Sequence, residues 1–217
     1  MQRPAFDIQK VDEVPPQIIP VTPDREHPEL RPMFGTAKLH CGKTPVIGVE
    51  VGSSTCANAC EVIEAWPEIT KLFCIDSYPV YSDFPLPEIQ KDALGYAITN
   101  IIGEPKIHLI IAPSVEAAKR FEAESVDFVY IDANHSYAFV KEDIQAWLPK
   151  VKKGGIIGGH DYDWEDKEHD MELAVKRAVD EAFGDRVHYH ISLFHIENRE
   201  NRYEPYTGIR SDWWIFV

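Results

Sequence analysis

The stretch VDFVYIDANHSYAFVKEDIQAWLPKVKKGGIIGGHDYDW, Val126 to Trp164, decides the fold. Two hydrophobic runs in it each stop in a polar cluster, Asp132-Ala-Asn-His135 and His160-Asp161-Tyr162-Asp163. A short apolar run closed by polar residues reads as a buried parallel strand meeting solvent at its carboxyl end. In open α/β sheets that edge is where ligands bind. The intervening Ala138 to Leu148 has the pattern of an amphipathic helix, ended by Pro149. Strand, helix and strand in that order bring two carboxylates and two imidazoles to one crevice.

Working outward, the alternation continues on both sides. Val46–Val51, Leu72–Asp76 and Ile107–Ile111 read as strands, with helices expected over Ser54–Trp66, Glu88–Ile102 and Ser114 to about Ala123. Gly154-Gly155 reads as a turn into a fifth strand at Ile156–Gly159, and Met171–Phe183 as a helix ended by Gly184. Val187–Phe194 and Asp212–Val217 close the chain as strands. Strict alternation predicts a doubly wound, Rossmann-like α/β domain over 46–217: a mostly parallel seven-stranded sheet, helices on both faces and an antiparallel carboxyl-terminal strand. Residues 1–45 hold eight of the sixteen prolines and read as an extended arm or a set of turns, one that packs across the domain, covers a site or joins a homo-oligomer.

Composition bounds the function. The 217 residues suit one domain with a substantial core. A net charge of -14 argues against nucleic acid, and no apolar run reaches the length of a membrane span. The amino terminus lacks a secretion signal, and Cys41, Cys56, Cys60 and Cys74 form no CxxC pair, which points to a reducing cytoplasm. No Cys/His set has zinc spacing.

The first strand ends Glu50-Val-Gly52-Ser53-Ser-Thr55 and enters a helix, so backbone N–H groups and a glycine turn meet any ligand there. The GxGxxG fingerprint is missing, with Ser54 and Ala57 at its later glycine positions, and this counts against an NAD-type oxidoreductase. Asp76 ends the second strand, either as a cap or as a ligand of ribose hydroxyls. Asp132 and Asp161 are hard-oxygen donors suited to Mg²⁺ or Mn²⁺, with a strand-end cap as the alternative for Asp161. His135 has the chemistry of a general base, while His160 can equally orient its loop through a backbone carbonyl.

These residues resemble a known family. Glu50-Val-Gly52-Ser-Ser-Thr, Asp76, Ala112-Pro-Ser114 and Ile131-Asp132 resemble class I S-adenosylmethionine-dependent methyltransferases. The runs Asp127 to Tyr137 and Gly154 to Tyr162 are similar to the small-molecule O-methyltransferases that include macrocin-type sugar methyltransferases. The resemblance implies S-adenosylmethionine as cofactor, with Glu50, Gly52 and Ser53 at its methionine end, Asp76 at the ribose, Ser114 near the adenine and Asp132 closing the site. It also implies a divalent ion on Asp132 and Asp161, with Tyr162 at a third ligand position and Asp163 or water as substitutes. His135 would take the proton of a small hydroxylated acceptor, a sugar or phenol. The chain departs from the pattern at Cys56, where a glycine is common, and at Pro113, where an acid is common; these departures favour the alternative of an inactive nucleotide-binding module. The loops Tyr78–Pro87 and Asp163–Asp170 are expected to wall the acceptor, with Tyr78, Tyr81, Phe84 and Trp164 as candidate stacking rings.

Overall fold

Alternation along the fourth strand, β4 (Val126–Ile131), sorts the core into two layers. Phe128 and Tyr130 turn to one face of the sheet, Val129 and Ile131 to the other, and all four are buried. The computed structural model describes residues 30–42, 45–78, 92–163, 165–166, 171–172, 174–196 and 206–217. Among these, α1 (Pro32–Cys41) is followed by β1 (Val46–Val51), α2 (Ala57–Ala65), β2 (Ile69–Asp76), α3 (Ala93–Ile101), β3 (Ile107–Ile111) and α4 (Ser114–Ala118). After β4 come α5 (Tyr137–Trp147), β5 (Val151–Gly159), a two-residue ribbon of β6 (Glu165–Asp166) with β7 (Met171–Glu172), and α6 (Ala174–Phe183). Strands β8 (His188–Ile196) and β9 (Tyr206–Phe216) end the chain.

The main sheet has seven strands in the order β3-β2-β1-β4-β5-β9-β8. The first five run parallel, and β9 pairs antiparallel with both β5 and β8. One apolar layer joins Val129, Ile131, Trp147, Val179 and Trp213 under α4, α5 and α6. The other joins Phe34, Val62, Trp66, Phe128 and Trp214 under α1, α2 and α3. Gly48 makes room in that second layer: a Cβ there would lie 2.0 Å from the Phe128 ring, which stacks on Trp66 at 5.3 Å. The doubly wound sheet read from the alternation is the sheet observed.

Several local expectations are corrected. The end of the proline-rich stretch is a helix rather than an extended arm or turns, because Pro32 occupies the first helical turn, where its missing N–H costs nothing. Met33, Phe34 and Ala37 of α1 are fully buried, so this part of the stretch belongs to the core. Helix α2 opens at Ala57, not Ser54, since Ser54 and Cys56 take φ of 45° and 57°. The Gly154-Gly155 turn is a bulge inside β5: Gly154 takes φ 77°, and pairing with β4 passes from Val126–Val151 to Phe128–Ile156. Helix α4 stops at Ala118, and α6 starts at Ala174 because Met171–Glu172 pairs in the ribbon. Strand β2 begins earlier than read, at Ile69, and β9 is longer, beginning at Tyr206. Residues 1–29 and most of the Tyr78–Pro87 loop, including Tyr81 and Phe84, lie outside the described residues, as does Trp164. No helix among the described residues is long and apolar enough to cross a membrane.

Candidate active site

Strand order reverses direction between β1 and β4, and a cleft of about 260 Å³ opens at their carboxyl ends. Gly52, Ser54, Asp76, Tyr78, Ser114 and Asp132 are among its lining residues. Gly52 has φ 85°, and a Cβ there would sit 2.1 Å from the carbonyl oxygen of Asp132. What requires glycine is therefore the close approach of the β1 and β4 ends, before any ligand is considered. Asp132 N–H donates to the Val51 carbonyl at 2.8 Å and Gly52 N–H to that of Ile75 at 2.8 Å, so three strand ends are laced together.

Of the residues expected at the cofactor end, Gly52, Asp76, Ser114 and Asp132 line this cleft, and Glu50 and Ser53 do not. Both oxygens of Asp76 accept backbone N–H groups, Oδ2 from Ser54 and Oδ1 from Tyr78, each at 2.8 Å. The carboxylate thus caps the loop, and each oxygen keeps a further lone pair at the cleft wall. Tyr78 closes the same loop by donating from its hydroxyl to the Ser54 carbonyl at 2.6 Å. Ser114 begins α4, and its Oγ accepts from Trp147 Nε1 at 2.9 Å. Ser53 is buried behind the turn. Glu50 is buried too, and Asn58 Nδ2 donates to it at 2.5 Å. Burial pushes the Glu50 carboxyl up to about 8, against the pull of Asn58 and Arg31.

The second end of the site gathers around Asp132. His135 Nε2 lies 3.0 Å from Asp161 Oδ2 and 3.6 Å from Asp132 Oδ1. His160 Nδ1 lies 2.9 Å from Asp161 Oδ1 and 4.0 Å from Asp132 Oδ1. Two turns arrange this. Asn134 Oδ1 accepts from Ser136 N–H at 2.9 Å, which folds the β4–α5 loop under His135. Asp161 takes φ 58°, a conformation Asp tolerates better than most residues, and so turns its carboxylate to both imidazoles. Burial works against the charges here. For Asp132 it is outweighed by His135, Arg31 and His160, which hold the carboxyl below its usual range. For His135 it is outweighed by Asp132 and Asp161, which raise the imidazole above its ordinary value.

Three members of this network, Arg31, Tyr130 and Asp212, are missed by the sequence reading. Arg31 Nη1 donates to Asp132 Oδ2 at 2.5 Å and to the Tyr130 hydroxyl at 2.9 Å. Tyr130 in turn donates to Asp212 Oδ1 at 3.0 Å, and Met33 N–H donates to Asp212 Oδ2 at 2.9 Å. Asp212 has no exposed surface, and burial raises its carboxyl despite His160, Met33, Arg31 and Tyr130. Arg31 and Asp132 stand 101 residues apart, beyond any local spacing rule. The one sequence signal was Asp212 itself, an acid directly before the apolar run Trp213–Val217.

Of the further ligand positions, Tyr162 is turned to α6. Its hydroxyl donates to Asp180 at 2.6 Å and accepts from Lys176 at 2.9 Å, and its ring stacks on Tyr189. Asp163 is exposed, and its N–H donates to Ser211 Oγ. The described residues able to converge on one ion are Asp132, His135 and Asp161, with donor atoms within 4.8 Å of one another.

Comparison with known proteins fits this geometry. Residues 46–162 match the family model described as a methyltransferase domain. No curated protein matches the sequence. Among solved structures, the chain is similar to precorrin 8W decarboxylase of Methanobacterium thermoautotrophicum, at 14% identity and a TM-score of 0.58 over 84% of this chain and 87% of that one. It is also similar to precorrin-6y C5,15-methyltransferase of Geobacter metallireducens, at 14% identity and a TM-score of 0.58 over 82% and 83% of the two chains. A putative caffeoyl-CoA O-methyltransferase of Staphylococcus aureus aligns at 12% identity and a TM-score of 0.55 over 85% and 80%. At these identities the structures speak for the fold, and the family model speaks for the chemistry. With more than half its length matched and a cleft at the β1–β4 switch point, the chain belongs to the methyltransferase domain family and is an S-adenosylmethionine-dependent methyltransferase.

Proposed function

We propose that the protein transfers the methyl group of S-adenosylmethionine to an oxygen of a small hydroxylated molecule, a sugar or a phenol. The observation that carries this is the convergence of Asp132, His135 and Asp161 on one point beside the cofactor cleft, which Asp132 also lines. The neighbouring structures carry different chemistries on this fold, so the acceptor is argued from these residues alone. The net charge of -14 and the inward-facing carboxylates disfavour a nucleic-acid acceptor.

The donor set suits a hard divalent ion. Two carboxylates and an imidazole match Mg²⁺ or Mn²⁺. Arg31 bonds Asp132, whereas Asp161 faces the imidazoles of His135 and His160, so the carboxylate pair has room for a further cation beside those rings. The buried Nε2 of His160 has no hydrogen-bond partner among the described residues and faces Asp212 Oδ1 at 4.0 Å. Asp132 and Asp161 would hold the ion, which when bound favours the ionised form of an acceptor hydroxyl.

The residues of the chain divide the remaining work. The Gly52 turn, Asp76 and Ser114 wall the cofactor, and the lacing of β1, β2 and β4 keeps that wall in place. His135, held by Asp161, accepts the acceptor's proton as its oxygen attacks the methyl carbon in line with the departing sulfur. Alignment of the two bound substrates supplies much of the acceleration.

His135 has a second reading, as third ion ligand, because its Nε2 faces both carboxylates. Calorimetry and turnover with candidate sugars and phenols separate the two. His135→Ala that binds Mn²⁺ normally while turnover falls about a hundredfold makes it the base; a large loss of Mn²⁺ affinity makes it a ligand. Asp132→Ala is expected to abolish metal-dependent turnover, and turnover indifferent to EDTA would remove the ion from the mechanism.

A further inference from the structure

The acceptor end of the site already contains a cation. Arg31, placed by the turn into α1, bonds Asp132 through Oδ2 at 2.5 Å, while Oδ1 of the same carboxylate faces His135 at 3.6 Å and His160 at 4.0 Å. The guanidinium is braced from behind, since Nη1 also donates to Tyr130, whose hydroxyl is tied to Asp212. It is braced along the chain as well, because Met33 and Phe34 are buried and Met33 N–H is bonded to Asp212. Arg31 is therefore not free to swing away when another cation arrives.

We propose that Arg31 sets the affinity of the divalent-ion site: it shares Asp132 with the ion, one on each carboxylate oxygen, so that the ion is held weakly and exchanges. This rests on the reading of Asp132, His135 and Asp161 as ion ligands. Guanidinium keeps its charge at every working pH, so its repulsion of the ion is permanent. It acts across a single carboxylate in a half-buried setting, where salt screens little. It also draws charge from the oxygen that it bonds, which leaves Asp132 a poorer donor through the other. A simply structural ion pair on this helix would leave ion affinity untouched.

The test is Mn²⁺ titration of the full chain, followed by the electron paramagnetic resonance of the free ion. The wild type is compared with Arg31→Gln, Arg31→Met and Arg31→Lys, each also in the Asp132→Asn background. Arg31→Gln is expected to tighten Mn²⁺ by about tenfold, and Arg31→Lys, which keeps the charge, to stay within about threefold of the wild type. The gain should shrink once Asp132 is Asn, because sharing of that carboxylate is removed while the direct repulsion between guanidinium and ion remains. Arg31→Met retains the packed aliphatic stem and gives the same comparison should Arg31→Gln fail to fold by circular dichroism. A wild type that binds Mn²⁺ while neither neutral variant binds it more tightly overturns the role of Arg31 and leaves the ion site standing. Equal tightening by Arg31→Lys overturns it also. No binding in any of these proteins overturns both the role and the ion site.

Discussion

Glu50 shows how one side chain can link the stability of this enzyme to pH. It is a carboxyl closed off from water at the end of β1, bonded by Asn58, with Cys74 Sγ 3.9 Å away. Its folded pKa of about 8 lies above the ordinary 4.5, so the folded chain binds this proton more tightly than the unfolded one. The contribution is thus fully present below about 4.5 and is lost as pH rises through about 8. Glu50→Gln, which cannot ionise, should raise Tm by several degrees at the alkaline end of a calorimetric series, with the gain shrinking steadily toward acid pH. A difference that does not vary with pH would show that the carboxyl ionises as freely folded as unfolded. At this scale the sequence was partly readable. The strand-end position of Glu50, Asp76, Asp132 and Asp161 followed from where apolar runs stop, since a strand must surface where its polar residues begin. The direction in which each side chain points did not, because it depends on single backbone angles such as the left-handed Asp161.

Helix α1 is the element that the sequence concealed. Proline density argued for an extended path, yet one proline in a first turn is compatible with helix, and the residues behind it are Met, Phe, Gly, Thr and Ala. Phe34 lies with its ring centre 4.4 Å from Tyr130 and 5.8 Å from Phe128, fully buried. Phe34→Ala should cost about 3–5 kcal/mol of unfolding free energy, measured by urea titration, as for other fully buried rings. A cost below about 1 kcal/mol would mean that α1 rests on the domain without completing its core. The same loss should loosen Arg31, three residues earlier in the chain and joined to the same Tyr130. Elements with a strong local period were legible: β1, β3 and β4 begin where the apolar runs begin. Boundaries set by backbone exceptions were not, as with the late start of α2 after Ser54 and Cys56 or the bulge that lengthens β5.

For the molecule as a whole, strict alternation of strand and helix carried the topology, and with it the switch point between β1 and β4 where the cleft lies. Loading that cleft should stabilise the entire domain, because its wall is built from the ends of β1, β2 and β4. At a hundredfold excess of S-adenosylmethionine over Kd, linkage predicts about 2.7 kcal/mol, or roughly 5–10 °C in Tm. A thermal-shift series checks this, and no shift at millimolar cofactor would contradict the assigned cleft. Long-range ties escaped the sequence for a simple reason: residues 101 and 179 positions apart carry no periodic signal. Those ties also impose an order in time. A ribosome releases Arg31 and Met33 before Tyr130 and Asp132, and all of these before Asp212. Helix α1 must wait for the 179 residues between Met33 and Asp212 before its N–H meets that buried carboxylate, and β9 must slip between β5 and β8 to bring it there. No nascent fragment that stops short of Asp212 therefore carries this set of ties.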